Sequence, residues 1–117
     1  MKEMATVEDK NDLNSILKVD RMIHEPARFL VMAYLVIVES ADFLFLANQT
    51  GLSRGNLSSH LSKLEDAGYI EVHKEFVKKI PRTVLSLTEN GHTAFHIYCK
   101  HIRNIQNNIP DDPSIDI

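Results

Sequence analysis

Leu52-Ser53-Arg54-Gly55-Asn56-Leu57-Ser58-Ser59-His60-Leu61-Ser62-Lys63-Leu64-Glu65-Asp66-Ala67-Gly68-Tyr69-Ile70 is the stretch that decides the fold. With Leu57 set at zero on a helical wheel, Leu61 falls near about 40° and Leu64 near about −20°. The three leucines form one narrow buried stripe. Ser53 is an N-cap residue type, and Gly68 is the residue type that stops a helix. A helix over Arg54 to Ala67 follows. Its other face carries Gly55, Asn56, Ser58, Ser59, Ser62 and Lys63, and is short, polar and almost free of acid. An ordinary solvated helix face carries Glu/Lys pairs instead. Short hydrogen-bonding side chains allow close approach to base edges, and Asn and Arg pair bidentately with adenine and guanine. A solvated serine-rich face without a partner is the alternative for this helix taken alone.

The flanking sequence narrows the choice. Asp42 is a good N-cap for a short helix, Phe43 to Gln49, closed by Gly51. On the other side, Tyr69 to Glu75 reads as a strand with Ile70 and Val72 on one face. Phe76 to Pro81 reads as a turn, and Arg82 to Leu87 as the return strand with Leu85 and Leu87 inward. Lys74, Lys78, Lys79 and Arg82 cluster on this hairpin. Short helix, tight turn, polar-faced helix and basic hairpin, in that order, make a winged helix-turn-helix. The fold class is mainly α with a small β-hairpin wing (α+β).

Charge is distributed in the same sense. The chain of 117 residues has a net charge of −3. Between Ser53 and Arg82, six Lys/Arg stand against four Asp/Glu, which leaves the remainder at −5. Local field matters more to a polyanion than the total, so the excess of two positive charges lies where the motif is. The hairpin lysines serve either solubility or contact with a phosphate backbone and minor groove; their clustering favours contact.

The rest of the chain supplies a single domain. Residues 1–8 are polar and expected to be disordered. Asp9 to Asp20 has Leu13, Ile16 and Leu17 at helical spacing. Pro26 breaks that helix and opens a second, Pro26 to Glu39, which is apolar nearly all round and so expected to be buried. Thr88 caps a last helix, Glu89 to Gln106. Residues 107–117 are rich in Asn, Asp and Pro and are expected to be a disordered acidic tail. The domain is thus residues 9–106.

One cysteine, Cys99, excludes an intrachain disulfide framework. Residues 1–10 hold no apolar segment of a secretory signal, and the apolar run Phe29 to Val38 is too short for a bilayer. A soluble cytoplasmic protein with no membrane partner is expected. His92, His96 and Cys99 share a helix face, but no second Cys and no Asp or Glu completes a ligand set there, so neither a metal nor a cofactor is assigned. No phosphate-binding loop, nucleophile elbow or zinc-protease helix occurs, and no catalytic residue is assigned.

These residues resemble the prokaryotic winged helix-turn-helix transcriptional regulators of the MarR/ArsR type. The resemblance rests on Asp42-Phe43, Leu52-Ser53, Asn56 to Leu61, Leu64 to Ile70, Pro81-Arg82-Thr83 and Leu87-Thr88-Glu89-Asn90-Gly91. It covers roughly Met22 to Ile102, most of the chain. It implies a homodimer on double-stranded DNA, at a near-palindromic operator with one recognition helix per half-site. It implies that Arg54, Asn56, Ser58, Ser59 and Lys63 enter the major groove, with Ser53 at the head of that helix. The N- and C-terminal helices would form the dimer interface. In the last helix Ala94, Phe95, Tyr98, Ile102 and Ile105 make one apolar stripe, and Leu13, Ile16 and Leu17 make another. A small three-helix core cannot cover both, and a two-fold dimer would. Two features depart from the family pattern. The wing turn lacks a glycine, and the outer part of the chain is acidic. The second leaves open a winged-helix module that binds protein instead of DNA.

Overall fold

The computed structural model describes residues 13–115. Its elements run from a short 3-10 helix, Leu13–Lys18, through α1 (Pro26–Val38), β1 (Ser40–Asp42), α2 (Phe43–Thr50) and α3 (Arg54–Asp66). They continue with β2 (Ile70–Val77), β3 (Ile80–Leu87) and α4 (Glu89–Gln106). The expectation for residues 1–8, and for a helix starting at Asp9, falls outside the described residues.

Each helix starts where its cap residue dictates. Glu25 accepts from the Arg28 amide at 2.8 Å ahead of Pro26, Asp42 from Phe45 at 2.7 Å, and Ser53 from Asn56 at 3.1 Å. Thr88 accepts from the Gly91 amide at 2.9 Å. Such caps satisfy amides that have no partner within the helix. Gly51 ends α2 with φ 73°, a left-handed conformation open to glycine at no steric cost.

Leu57, Leu61 and Leu64 of α3 are buried, together with Val31, Met32 and Leu35 of α1 and Leu46 of α2. Ile70, Leu85 and Leu87 close this core from the sheet, and Phe95 and Tyr98 close it from α4.

Four expectations change. The N-terminal helix is a 3-10 helix of six residues with none buried, and Ile16 packs partly on the core. α1 is not buried all round: Ile37 is 75% exposed, and Phe29, Leu30 and Val38 are also exposed. A domain this thin covers one side of α1 with the sheet and α3 and has too little chain to cover the other. β1 was not expected. It pairs Ser40, Ala41 and Asp42 with Ser86, Leu85 and Val84 of β3, giving the order β1-β3-β2. Three residues are too few for an alternation to register. The wing strands also run further than expected, since Phe76 pairs with Pro81 and Val77 with Ile80. Pro81 lies where β3 has one neighbour, a place where a sheet tolerates proline.

The missing wing glycine is thereby explained. A two-residue turn joins the strands, with Lys78 at φ 53° and Lys79 at φ 67°. Two positive φ values match the twist of a two-residue hairpin, which usually recruits Asn-Gly. Lysine pays roughly 1–2 kcal/mol per residue for that conformation. Lys79→Gly should therefore raise stability by about 1 kcal/mol in urea unfolding, even though a charge is lost. A destabilised variant would refute the turn geometry.

Residues 107–115 form turns, with no helix or strand, and are exposed. Ser114 donates to Asp112 from both amide and hydroxyl. No helix among the described residues is long and apolar enough to cross a membrane.

Candidate nucleic-acid interface

The outward face of α3 is continuous and uncovered. Arg54, Gly55, Asn56, Ser58, Ser59, Ser62 and Lys63 are all exposed, while the three leucines behind them are buried. Ser53 uses an oxygen lone pair to cap the helix and keeps its O–H for another acceptor. Acid is absent from the first turn of α3, where the helix dipole is positive. This end therefore presents free amides, the Arg54 guanidinium and short hydroxyls to one region of space.

The wing stands beside it. A groove between α3 and the sheet has Ser58, Ser62 and Glu65 on one wall and Lys74 and Thr83 on the other. A second depression brings Arg54, from the start of α3, near Arg82 and Ile80 of β3. Arg82 also sits 3.6 Å from the Asp42 carboxylate, so part of its charge is used to hold the sheet to the start of α2. Lys74, Lys78 and Lys79 are exposed and make no ion pair among the described residues. These two depressions bring Arg54 and Ser58 of the expected recognition residues beside Lys74 and Arg82 of the wing.

A polar node behind α3 had no signal in the sequence. Arg28 of α1 donates from Nε to the Met22 carbonyl at 2.7 Å and from its guanidinium to His60 Nδ1 at 3.1 Å. Glu25 lies 3.9 Å from the same His60 nitrogen and 4.0 Å from Arg28. As an acceptor, Nδ1 carries no proton, so the node holds His60 in one tautomer and fixes α3 against the start of α1. Residues 32 positions apart give no periodic trace. His60, half-buried beside Arg28, is a positioning residue here.

Tyr69 anchors the other end of α3. Its hydroxyl donates to Asp20, and Asp20 also accepts from the Met22 amide at 2.8 Å. Burial, then the hydrogen bond to Asp20 and its negative charge, push the Tyr69 phenol up to about 12 from its ordinary 10.0. A raised folded-state pKa means that the folded chain holds this proton more tightly. The contribution is therefore complete below pH 10 and is lost as pH rises towards about 12. Tyr69→Phe should show a shallower loss of stability over that window in denaturant titrations, and parallel pH profiles would refute the coupling.

The expected dimer residues divide. Phe95 and Tyr98 lie in the protomer's own core, a correction to their reading as an outer stripe: α1 packs on that face of α4, and Phe29 stacks against Phe95 at 5.3 Å. Ile102 and Ile105 are half-buried, Ile16 packs partly on the core, and Leu13 and Leu17 are 49% and 69% exposed. A cleft of about 470 Å³ opens between the start of α1 and α4, lined by Phe29, Tyr98, Cys99, Ile102 and Arg103. The Tyr98 hydroxyl lies 2.6 Å from His24 Nδ1 at its edge. His92 and His96 stack at 6.3 Å, and no group of three or more His, Cys, Asp or Glu among the described residues is placed to hold a metal.

Comparison with known proteins gives a consistent result. Residues 27–106 match the family model of the winged helix DNA-binding domain. An uncharacterized protein of Methanocaldococcus jannaschii, MJ0432, is 32% identical over 89 residues, which are 76% of this chain and 97% of that protein. The solved transcriptional regulator homologue of Pyrococcus horikoshii OT3 superposes with a TM-score of 0.78 at 22% identity, over 85% of this chain and 98% of that one. The PcaV transcriptional regulator of Streptomyces coelicolor, solved with its natural ligand, superposes with a TM-score of 0.65 at 18% identity, over 92% and 82% of the two chains.

Proposed function

Because this chain belongs to the family of winged helix DNA-binding domains, we propose that it is a homodimeric, sequence-specific transcriptional regulator on a near-palindromic operator. The observation that carries this reading is the exposed face of α3 set beside the basic wing. Arg54, Asn56, Ser58, Ser59 and Lys63 read base edges in the major groove, whose width of about 12 Å admits one helix. Ser53 and the α3 N-terminus take a phosphate, and Lys74, Lys78, Lys79 and Arg82 hold the backbone and minor groove. The protein acts in the cytoplasm and carries out no catalysis of its own.

The dimer is built by the terminal segments. Leu13 and Leu17 are exposed and Ile16, Ile102 and Ile105 half-buried, which leaves apolar surface on the terminal segments. Phe95 and Tyr98 support this interface from inside. The cleft between α1 and α4 has the size of a small-molecule site and is the candidate place for an effector.

The test is selection of duplexes from a random pool, followed by fluorescence anisotropy across a salt series. A symmetric site with half-sites about 34 Å apart and a steep salt slope is the expected result. A second reading, a protein-binding winged helix without DNA affinity, is favoured by the net charge of −3 and the bare apolar side of α1 at Ile37. Failure of any duplex to be enriched would decide for it.

A further inference from the structure

The tip of the wing is apolar as well as basic. Phe76 is 75% exposed and Ile80 64% exposed, and among the described residues they are the only exposed large apolar side chains on the strands. The strand register places Phe76 opposite Pro81 and Val77 opposite Ile80. Side chains alternate between faces, so the tip is apolar on both sides. Lys78 and Lys79 form its crest, and Lys74 lies on the same face as Phe76. Cross-strand packing covers one flank of each side chain and leaves most of its surface in water. The core ends at Val72 and Leu85, so no part of the protomer's core reaches the tip.

An occupant of this tip must be anionic at its edges and apolar within. Three lysines that make no ion pair among the described residues flank the tip, with Lys74 on the Phe76 face; the nearest acid, Glu75, lies on the Val77–Ile80 face, where Arg82 stands across from it. The minor groove of a duplex has that chemistry: phosphates along both walls, sugars and base edges between them. We infer that Phe76 and Ile80 form a wedge that enters the minor groove beside the sequence read by α3 and partly unstacks one base step there. The inference rests on the DNA-binding reading and adds a mode of specificity to it. Unstacking is easiest at pyrimidine–purine steps and hardest in stiff A-tracts, so the wing selects flanks that it never hydrogen-bonds. The lysines supply attraction for any sequence, and the wedge supplies the discrimination.

The full chain is tested on duplexes that carry its selected site, with either a TA step or an A-tract under the wing and a dye at each end. The wild type should bind the TA flank about tenfold more tightly than the A-tract, and energy transfer should report a bend of about 20° or more. Phe76→Ala, Ile80→Ala and the double variant should lose both the bend and the flank preference while keeping the preference for the central site. Their circular dichroism and melting should match the wild type, because both positions are exposed. Wild-type binding without a bend or flank preference would overturn the wedge alone, as would variants that retain both. Absence of any duplex binding would overturn the wedge together with the DNA reading. Wild-type binding to phosphatidylserine vesicles that is lost in Phe76→Ala, without duplex bending, would reassign the tip to a membrane surface.

Discussion

An alanine at position 91 should lower stability by about 3 kcal/mol, which for a domain of this size is a fall in Tm on the order of 10–20 °C. A Cβ built on Gly91 would lie 2.1 Å from the Tyr69 carbonyl oxygen and 3.0 Å from the carbon behind it. Both are backbone atoms, so no side-chain rotation relieves the overlap. That oxygen is itself fixed, because it accepts the Thr88 amide at 3.0 Å. Thr88 also donates through its hydroxyl to the Gly68 carbonyl at 2.6 Å while capping α4. Moving α4 outward would break these bonds and disturb Phe95 and Tyr98 in the core. Gly55→Ala is the control with the opposite sign. It lies on α3 with nothing within 4 Å of its Cβ, and alanine there should stabilise by about 0.5–1 kcal/mol. Thermal melts of the two variants test the argument together. Equal melting temperatures would mean that the contact of α4 with Tyr69 is not as close as described.

Loss of specific DNA affinity on Asn56→Ala or Ser59→Ala is the second large effect, roughly 1–3 kcal/mol for each lost base contact. Both side chains stand on the exposed face of α3, opposite its buried leucines, so truncation should remove the proposed base contacts with little effect on folding. Lys79→Ala should behave differently. It should weaken binding to every sequence alike and reduce the salt slope by about one, since a phosphate contact carries no sequence information. Competition against a scrambled duplex over a salt series separates the two patterns. Sequence-independent losses of the same size in all three variants would remove the distinction between reading helix and holding wing.

Much of this was readable because short-range chemistry is written locally. The caps at Asp42, Ser53 and Thr88, the leucine stripe of α3 and the span of α4 all follow from a residue type or a 3.6-residue period. The Leu-Thr-x-x-Gly stretch was recognisable as a pattern, but its cause is tertiary: Gly91 is small because Tyr69, from another part of the chain, passes against it. Other features had no local trace. β1 is three residues long and exists because β3 offers an open edge. The Arg28–His60 pair and the Tyr69–Asp20 bond join distant positions. The apolar all-round pattern of α1 promised burial, yet a pattern reports what a helix could bury and not how much chain is available to cover it.

Residue order alone therefore established the winged helix, the helix that faces outward and the basic character of its wing, since each depends on periodicity, capping and local charge. Folding in three dimensions settled which apolar residues are spent inside the protomer and which remain outside. Phe95 and Tyr98 go inward under α1, while Phe76, Ile80 and Ile37 stay in water. That division depends on which surfaces meet, and surfaces meet through contacts between residues far apart in the chain.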